Sequence, residues 1–469
     1  QGSCTTRPQR RVAATGQPDA VSDTLGPLSG LDELARAVTP VAERFGEAGY
    51  RLFLVGGVVR DLMIAQELDQ PLAGNDIDLT TEARPEEIKR ILAPLADVIW
   101  DQGERFGTIG ARVGGKAMEI TTHRAEAYDP ESRKPTVSFG DHITDDLARR
   151  DFTINAAAIE LPTGSLHDPH GGLVDLRERL LRTPLSPEVS FTDDPLRMLR
   201  AARFIPRFDL VPSAELTAAA TDLAGRLDIV AVERVADELE RLFAVGSPRS
   251  GFDFLVEVGL LTHVIPALAS VDTAEVEAAV ALASAAAAGE HDGPAATVGS
   301  VDRLVRRAGL LWPIRAEAGE QLGRLRYSKA ETTRTVNLLD AVERGLDEEP
   351  SPATVRRLAS VAGPDALIAV ATLATNLVGV GLAPLAPVAD LVRLIEELMR
   401  TEDLSDLQGP LSGGEIMELL DLEPGPMVGR ALGRQRELRI EQGPLDADAA
   451  RSALIEWWRQ DPSARTSLT

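Results

Sequence analysis

Two aspartates separated by one residue form the strongest chemical feature of the sequence. Asp76 and Asp78 flank Ile77 in the segment NDIDLT. Residues i and i+2 of a β-strand lie on the same face, so both carboxylates would project to one side while Ile77 packs into the core. Two such carboxylates can hold a pair of Mg²⁺ ions roughly 3.5 to 4 Å apart, which activates an attacking hydroxyl and neutralises a leaving pyrophosphate. The alternative is a solvated acidic strand end.

A glycine turn precedes this acidic pair. The apolar run RLFLV predicts a short buried strand, Gly56 and Gly57 interrupt it, and VVRDLMIAQ predicts a helix. The backbone amides of such a turn point outwards, and with the positive end of the helix dipole they suit a triphosphate. Together with the aspartates, this arrangement predicts a nucleotide-polymerising site. An ordinary Gly-Gly turn is the alternative.

A third polar cluster lies in RRDFTINAAAIE at 149–160. Asn155 follows Asp151 by four residues, a spacing that allows both groups onto one helical face. There they could bond ribose hydroxyls while Arg150 meets phosphate. The alternative is a helix cap with one satisfied interior asparagine.

The segment DDPLRMLRAARF predicts a helix whose first turn is polar. Pro195 suits the first helical position, which makes Asp194 the expected N-cap and places it beside Arg197. An aspartate offers acceptors and an arginine offers donors, so the pair can match the Watson–Crick edge of a base. In the alternative interpretation, Asp194 only caps the helix.

The ordered set GGVVRD, DID, RRDFTINA, DPHGG, DDPLR and ERVADEL resembles the class II tRNA nucleotidyltransferases, the CCA-adding enzymes, over residues 30–245. The resemblance implies Mg²⁺-dependent addition of CMP and AMP, from CTP and ATP, to the 3′ end of tRNA without a template. The 3′ hydroxyl would attack the α-phosphorus with no covalent intermediate. One departure is Asp193, where the family usually has glutamate. A bacterial poly(A) polymerase and a catalytically silent RNA-binding paralogue are the alternatives.

The resemblance also implies roles for individual residues. Glu119, in AMEITTHR, matches a family carboxylate proposed as a third acidic group, with a sheet-edge acid as the alternative. Glu233 and Arg234 would brace the nucleotide-binding helices. The catalytic, metal-binding and nucleotide-binding positions implied are Asp76, Asp78, Gly56, Gly57, Arg60, Arg150, Asp151, Asn155, Asp194 and Arg197.

The segment at 125–141 is polar and broken by proline, so no regular element is predicted there. It is similar to the flexible loop of full CCA-adding enzymes, which favours complete CCA addition. Arg133 and Lys134 in this loop are candidates for RNA phosphate contacts. A plain surface connection is the alternative.

The net charge of −24 argues against a general nucleic-acid binder, because phosphate contacts need Lys and Arg. Any tRNA must therefore meet a local basic track. Surface solubility explains the candidate arginines equally well. They are Arg177, Arg179, Arg182, Arg200, Arg203, Arg430, Arg434, Arg436 and Arg439.

The pattern predicts an α+β fold, in which a small mixed-sheet nucleotidyltransferase head domain is followed by a long all-helical neck, body and tail. A length of 469 residues allows several domains. The expected segments are a disordered start at 1–28, the catalytic head at 29–160, a helical neck and body at 161–280, a linker at 281–300, a degenerate HD-like domain at 301–400 and a helical tail at 401–469.

The HD-like segment lacks the residues of a metal site. Trp312 and Pro313 stand where bacterial relatives have a His-Asp pair, and the last of six histidines is His291. Because an HD metal site needs several imidazoles with a carboxylate, we expect a scaffold without metal chemistry.

The sequence favours a cytoplasmic protein without an obligatory protein partner. Cys4 is the single cysteine, which excludes a disulfide framework, and no apolar signal-type run is seen near the start. The uncharged stretch at 366–389 includes Asn376, two glycines and two prolines. It is therefore predicted as a buried helix followed by a loop rather than a membrane span.

Overall fold

The computed structural model describes residues 31–68, 77–127, 136–285 and 299–460. The chain folds into two compact units. The first unit comprises the described residues up to Asp194 together with Leu210–Ala219. The second comprises Pro195–Asp209 and the described residues from Ala220 onwards. The predicted α+β class, a mixed sheet followed by helices, is confirmed.

The first unit is built on β-strands. They are β1 Leu52–Val55, β2 Ile77–Thr81, β3 Val98–Trp100, β4 Thr108–Val113, β5 Lys116–Thr122, β6 Arg124–Ala127, β7 Thr136–Phe139, β8 Ala158–Leu161, β9 Ser165–His167, β10 Leu180–Leu181 and β11 Val211–Pro212. Seven of them form one sheet in the order β3-β4-β5-β2-β1-β8-β9. β2 and β5 run parallel, while the other neighbours in this sheet run antiparallel.

Helices cover one face of the sheet with the main apolar core. The helices of this unit are α1 Leu31–Glu47, α2 Gly57–Leu68, α3 Pro85–Leu92, α4 Ile143–Ala148, α5 Gly172–Arg177 and α6 Pro187–Asp193. Side chains of α1, α2 and α3 pack with Leu54, Leu79 and Ile120 of the strands. A smaller cluster on the opposite face includes Phe53 and Leu147. The second face therefore has room for exposed polar groups.

The second unit is helical. Its helices are α7 Leu196–Phe208, α8 Ala214–Leu223, whose first residues belong to the first unit, α9 Val232–Phe243, α10 Arg249–Glu257, α11 Leu260–Val264, α12 Thr273–Ser284, α13 Ser300–Leu311, α14 Ala318–Arg324, α15 Lys329–Asp347, α16 Pro352–Ala362, α17 Leu367–Gly379, α18 Leu385–Thr401, α19 Gly413–Leu420, α20 Pro426–Gln442 and α21 Ala447–Gln460. Buried leucines and alanines line most of them.

The structure corrects the prediction of no regular element at 125–141. β6 and β7 pair antiparallel there, with Arg124 opposite Phe139 and Ala127 opposite Thr136. The sequence TVSF of β7 contains β-branched and aromatic residues, which favour strands. Residues 128–135 lie outside the described part of the chain, and the predicted RNA contacts Arg133 and Lys134 fall among them.

The apolar stretch at 366–389 begins with the predicted buried helix. α17 contributes Leu367, Leu373 and Leu377 to the core. The loop after it is shorter than expected, because α18 begins at Leu385. Among the described residues no single helix has the length and hydropathy to cross a membrane, and one sharply bent pair, Pro352–Ala362 with Pro364–Gly379, meets both criteria jointly.

Candidate active site

One row of residues crosses the large sheet and carries two acidic side chains. Asp78 on β2 pairs with Glu119 on β5, and Glu119 pairs with Gly110 on β4. Paired residues of neighbouring strands project to the same face. Asp78 and Glu119 are exposed on that face, whereas Ile77 is buried in the core, as predicted. Asp76 lies outside the described residues.

The predicted strand, glycine turn and helix are confirmed as β1, Gly56 and α2. Gly56 has a φ of +78°, a conformation that glycine adopts without a steric penalty. A Cβ atom built on Gly56 would lie 3.3 Å from both Arg150 Nη1 and Asp78 Oδ2. The turn, an acid and a cation therefore meet at one point, and the absence of a side chain leaves the backbone of the turn accessible.

A buried carboxylate anchors Arg150. Arg150 Nη2 donates to Asp146 Oδ2 at 3.1 Å, and Arg149 Nε donates to Asp146 Oδ1 at 3.4 Å. Burial raises the pKa of Asp146, but the neighbouring guanidinium groups of Arg150 and Arg149 outweigh it and hold this pKa below its usual value. Asp146 is therefore ionised and holds Arg150 beside the turn.

Replacing Asp146 should lower the free energy of unfolding by an amount that depends on pH. The lowered pKa of Asp146 means that its contribution to stability is complete above the ordinary value of 3.8 and is lost as the pH falls through the lower folded value. We expect Asp146→Asn to lower the free energy of unfolding at pH 7 by about 2 kcal/mol, below the ~3–5 kcal/mol of a fully buried pair, because both arginines are partly exposed. Urea unfolding at pH 7 and at progressively lower pH measures this difference.

The matched control is Asp145→Asn, which changes an exposed acid of the same helix. It should leave the stability within about 0.5 kcal/mol of the parent. A difference between Asp146→Asn and the parent that stays constant down to the acid-unfolding range would contradict an ionised anchor.

Asp151 and Asn155 lie side by side, but not on the helical face that their spacing predicted. The segment Thr153–Asn155 is a short 3-10 helix, and Asn155 Nδ2 donates to Asp151 Oδ1 at 2.9 Å. Arg60 Nη1 of α2 donates to Asn155 Oδ1 at 2.8 Å, while its Nε and Nη2 donate to Asp61 Oδ1 at 2.9 and 2.7 Å. These four side chains form a continuous network below the turn.

This network gives Arg60 a positioning role beside the one expected from the sequence. The side chain is buried, and its donors bond Asp61 and Asn155. A buried cation engaged in this way orients its partners. Arg60 therefore holds Asn155 in place. A Cβ atom on Gly57 would lie 3.3 Å from Arg60 Nη2, so the guanidinium lies beside the turn and its triphosphate contact stays a prediction.

The DPHGG motif supports the same segment through a residue that the sequence analysis missed. Asp175 is fully buried, and its Oδ2 accepts from Thr153 Oγ1 at 2.5 Å and from Arg182 Nε at 3.1 Å. A Cβ on Gly172 would lie 2.2 Å from the carbonyl oxygen of Thr153, so only glycine fits at this contact. Arg182, a candidate for the basic track, is instead bound to Asp175.

Asp194 and Arg197 belong to different compact units. Asp194 has extended backbone angles and ends α6, whereas Arg197 lies in the first turn of α7. Pro195 has helical φ and ψ of −60° and −20°, but the helix begins at Leu196, so Pro195 does not occupy the first helical position that was predicted. Pro195, and not Asp194, occupies the N-cap position, one residue later than expected. Base recognition by Asp194 and Arg197 stays a prediction.

A buried ion pair joins two helices of the second unit. Arg203 Nε of α7 donates to Glu238 Oε2 of α9 at 2.7 Å, and both side chains are buried. Arg203 therefore braces these helices, which corrects its predicted role as an RNA contact. Arg200 Nη1 lies 3.7 Å from Glu238 Oε1, and its side chain is 30% exposed.

The brace predicted at Glu233 is located five residues later in the same helix. Glu233 is exposed and lies 3.3 Å from Arg326 Nη1, whereas Glu238 occupies the buried position of the same helix. Positions 233 and 238 both belong to the motif ERVADEL. The sequence therefore indicated the helix, but not which of its carboxylates is buried.

Side chains of the HD-like and tail sections pack in the interior or form ion pairs. Trp312 is buried after α13, and Arg315 lies over its ring at 5.0 Å. In the tail, Arg439 Nη1 bonds Glu402 Oε1 at 2.5 Å, so this basic-track candidate is also engaged. Among the described residues, no group of three or more His, Cys, Asp or Glu side chains is arranged to hold a metal ion.

Comparison with family models matches two segments. Residues 52–182 match the poly A polymerase head domain, and residues 211–271 match the probable RNA and SrmB-binding site of polymerase A. The CCA-adding enzyme of Lactobacillus johnsonii is 34% identical over 238 residues, which cover 50% of this chain and 57% of that protein. The CCA-adding enzyme of Geobacillus kaustophilus is 34% identical over 223 residues, covering 47% and 52%. The chain thus spans about half the length of these curated relatives.

Solved structures extend the similarity over most of the chain. The CCA-adding enzyme of Bacillus stearothermophilus, solved in complex with CTP, has a TM-score of 0.69 and 26% identity, and covers 90% of this chain and 97% of its own. The Thermotoga maritima CCA-adding enzyme complexed with tRNA_CCA has the same fold, with a TM-score of 0.59, 19% identity and coverage of 93% and 97%. With its ordered motifs and the sheet that carries Asp78, the chain is similar to the CCA-adding enzymes in sequence over about half of its length and in fold over most of it.

Proposed function

We propose that this protein adds CMP and AMP, from CTP and ATP, to the 3′ end of tRNA without a nucleic-acid template. The observation that carries the proposal is the convergence of Asp78, Arg150 and the Gly56 turn at the end of the interior strand β1, on an exposed sheet face. A carboxylate, a cation and open backbone amides are the groups that a nucleoside triphosphate needs. The Bacillus stearothermophilus relative was solved with CTP, and the Thermotoga maritima relative with tRNA.

The family implies a divalent metal, and the donor set suits Mg²⁺. Asp78 and Glu119 are exposed partners in register, and carboxylate oxygens are the ligands that Mg²⁺ prefers. We assign Asp78 and Asp76 as the metal ligands, with Glu119 as a third carboxylate. When bound, Mg²⁺ neutralises charge on the leaving pyrophosphate and favours ionisation of the attacking hydroxyl.

The remaining side chains hold the nucleotide. Amides of Gly56 and Gly57 face the triphosphate, and Arg150, fixed by Asp146, supplies a positive charge beside it. The Asp151 and Asn155 pair is assigned to the ribose hydroxyls. Because Arg60 and Asp175 bind this segment from two sides, the pair is held in place before the substrate arrives.

Base selection and RNA binding are assigned from the motifs. Asp194 and Arg197 are proposed to read CTP or ATP through acceptors and donors matched to the base edge. Arg200, which is partly exposed, is the remaining candidate of its helix for a phosphate contact. Arg133 and Lys134 are proposed RNA contacts of the head domain. The HD-like section is proposed as a scaffold, and the cytoplasm as the location.

A poly(A) polymerase is the second candidate, because the family model of residues 52–182 carries that name. It would extend RNA with ATP alone. The test is to incubate the protein with tRNA that lacks its 3′ CCA, and with CTP, ATP, GTP and UTP singly and then together. We expect two additions with CTP, one more with CTP plus ATP, and none with GTP or UTP. A long tail formed from ATP alone would establish the alternative.

A further inference from the structure

The exposed face of the sheet contains a recess in which only Glu119 has a role assigned above. Its volume is about 300 Å³, and residues of β3, the following turn, β4 and β5 line it. This volume is at the lower end of small-ligand sites, which span roughly 300 to 1,000 Å³. Its lining combines two aromatic rings with polar groups: Trp100, Gln102, Phe106, Thr108, Gly110 and Glu119.

The recess continues the acidic row of the sheet. Asp78 pairs with Glu119, Glu119 with Gly110, and Gly110 with Trp100 on the next strand. A Cβ on Gly110 would lie 1.9 Å from Trp100 Nε1, so the indole covers the position where a side chain is missing. The flat ring is therefore held on the same face as the two carboxylates.

The second aromatic ring is fixed from outside the recess. Phe106 is 42% exposed and belongs to the 3-10 helix Glu104–Phe106. Glu104 Oε1 accepts from Lys89 Nζ of α3 at 2.5 Å, which ties this turn to the helical layer. Arg105 lies 4.5 Å over the Phe106 ring and adds a positive charge at the rim.

The position of the recess identifies which part of the reaction it serves. The Gly56 turn follows β1, on one side of Asp78, whereas β5, β4 and β3 extend on the other side. Phosphoryl transfer requires the attacking and leaving oxygens roughly in line on opposite sides of the phosphorus. With the pyrophosphate at the Gly56 turn, the attacking hydroxyl must approach from the side of Glu119 and Trp100.

We propose that this recess binds the base of the 3′-terminal nucleotide of the RNA strand being extended, with Trp100 and Phe106 as its stacking surfaces. The inference rests on the proposed function. Stacking suits this role because every base has a π-face, so the recess accepts a different terminal base after each addition. Trp100 is thus a positioning residue that holds the 3′ hydroxyl near Asp78.

The test distinguishes an effect on the KM for the RNA substrate from an effect on the KM for the incoming nucleotide. Stacking contributes roughly 1 to 3 kcal/mol per base, and 1.4 kcal/mol is tenfold in affinity. We expect Trp100→Ala to raise the KM for tRNA lacking its terminal A about tenfold, with the KM for ATP unchanged. Trp100→Phe keeps an aromatic face and should stay within about threefold of the parent. Phe106→Ala, at a more exposed ring, should act in the same direction.

Two further variants control for structure. Val98→Ala changes an exposed side chain of the same strand outside the recess and should leave both KM values unchanged. Gly110→Ala should displace the indole and reproduce the effect of Trp100→Ala. In a Trp100→Ala background it should add nothing, because the ring it displaces is already gone.

Binding of tRNA with a 3′-deoxy end, measured by fluorescence anisotropy, tests the recess without turnover. Weaker tRNA binding by Trp100→Ala would support base binding in the recess, even if the parent protein extends no tRNA. A parent protein that extends no tRNA would overturn only the proposed function. Unchanged tRNA binding and KM in both Trp100→Ala and Phe106→Ala would overturn the recess. An increase confined to the KM for ATP would also overturn it, since the incoming nucleotide would then occupy the site.

Discussion

Asp78→Asn should abolish nucleotide addition while tRNA binding stays largely intact. The side chain is exposed on the sheet face next to Gly56, and the neighbouring residues Ile77 and Leu79 carry the packing of this strand. The change keeps the size of the side chain but removes the charge that holds a metal ion. We expect turnover to fall at least a thousandfold, about 4 kcal/mol at ~1.36 kcal/mol per tenfold.

Single-turnover extension of tRNA lacking its CCA end measures this loss, and filter binding measures the affinity for tRNA. Asp76→Asn is expected to behave in the same way. Asp141→Asn is the matched control, because it removes an exposed carboxylate whose partner is Arg84 on the surface. If both Asp76→Asn and Asp78→Asn retain more than about a tenth of the parent turnover, these residues are not the metal ligands.

Arg203→Met should cause a large loss of stability. It leaves the carboxylate of Glu238, which is 5% exposed, without its closest cation. Breaking a buried pair by removing one partner costs about 3 to 5 kcal/mol. We expect the lower end, about 3 kcal/mol, since Arg200 and Arg241 lie 3.7 and 3.6 Å from Glu238. Urea unfolding followed by far-UV circular dichroism measures the change.

The exposed partner of the same carboxylate provides the control. Arg241→Ala should cost less than about 0.5 kcal/mol, because its side chain is mostly exposed and a surface pair contributes little. Combining Arg203→Met with Glu238→Leu should recover most of the lost stability, because no charge is then buried alone. A single Arg203→Met variant as stable as Arg241→Ala would show that Arg203 does not brace the helices.

Some of the arginines that the sequence suggested as tRNA contacts bind carboxylates of the protein instead, because the sequence does not show which group an arginine will bind. Arg182, Arg203 and Arg439 belong to the predicted basic track, yet each is bound to a carboxylate of its own unit. Those partners lie 7 to 37 residues away in sequence. Only the packing of helices and turns brings these pairs together.

The 3-10 helix that carries Asn155 illustrates the limit of a spacing rule. Asn155 follows Asp151 by four residues, and this spacing correctly indicated that the two side chains lie together. The backbone nevertheless forms one short turn followed by β8, because the chain must re-enter the sheet beside β1. The contact follows from local spacing, whereas the element type follows from the tertiary arrangement.

The sequence by itself determined the strand, the Gly56 turn and α2, the inward position of Ile77 and the resemblance to the CCA-adding enzymes, since these depend on neighbouring residues and on ordered motifs. The tertiary structure alone decided which residues stand beside them. Trp100, Gly110 and Glu119 share one row with Asp78 only because β3, β4, β5 and β2 are adjacent in the sheet. Strand order is set by burial of the whole apolar face, and no local pattern contains it.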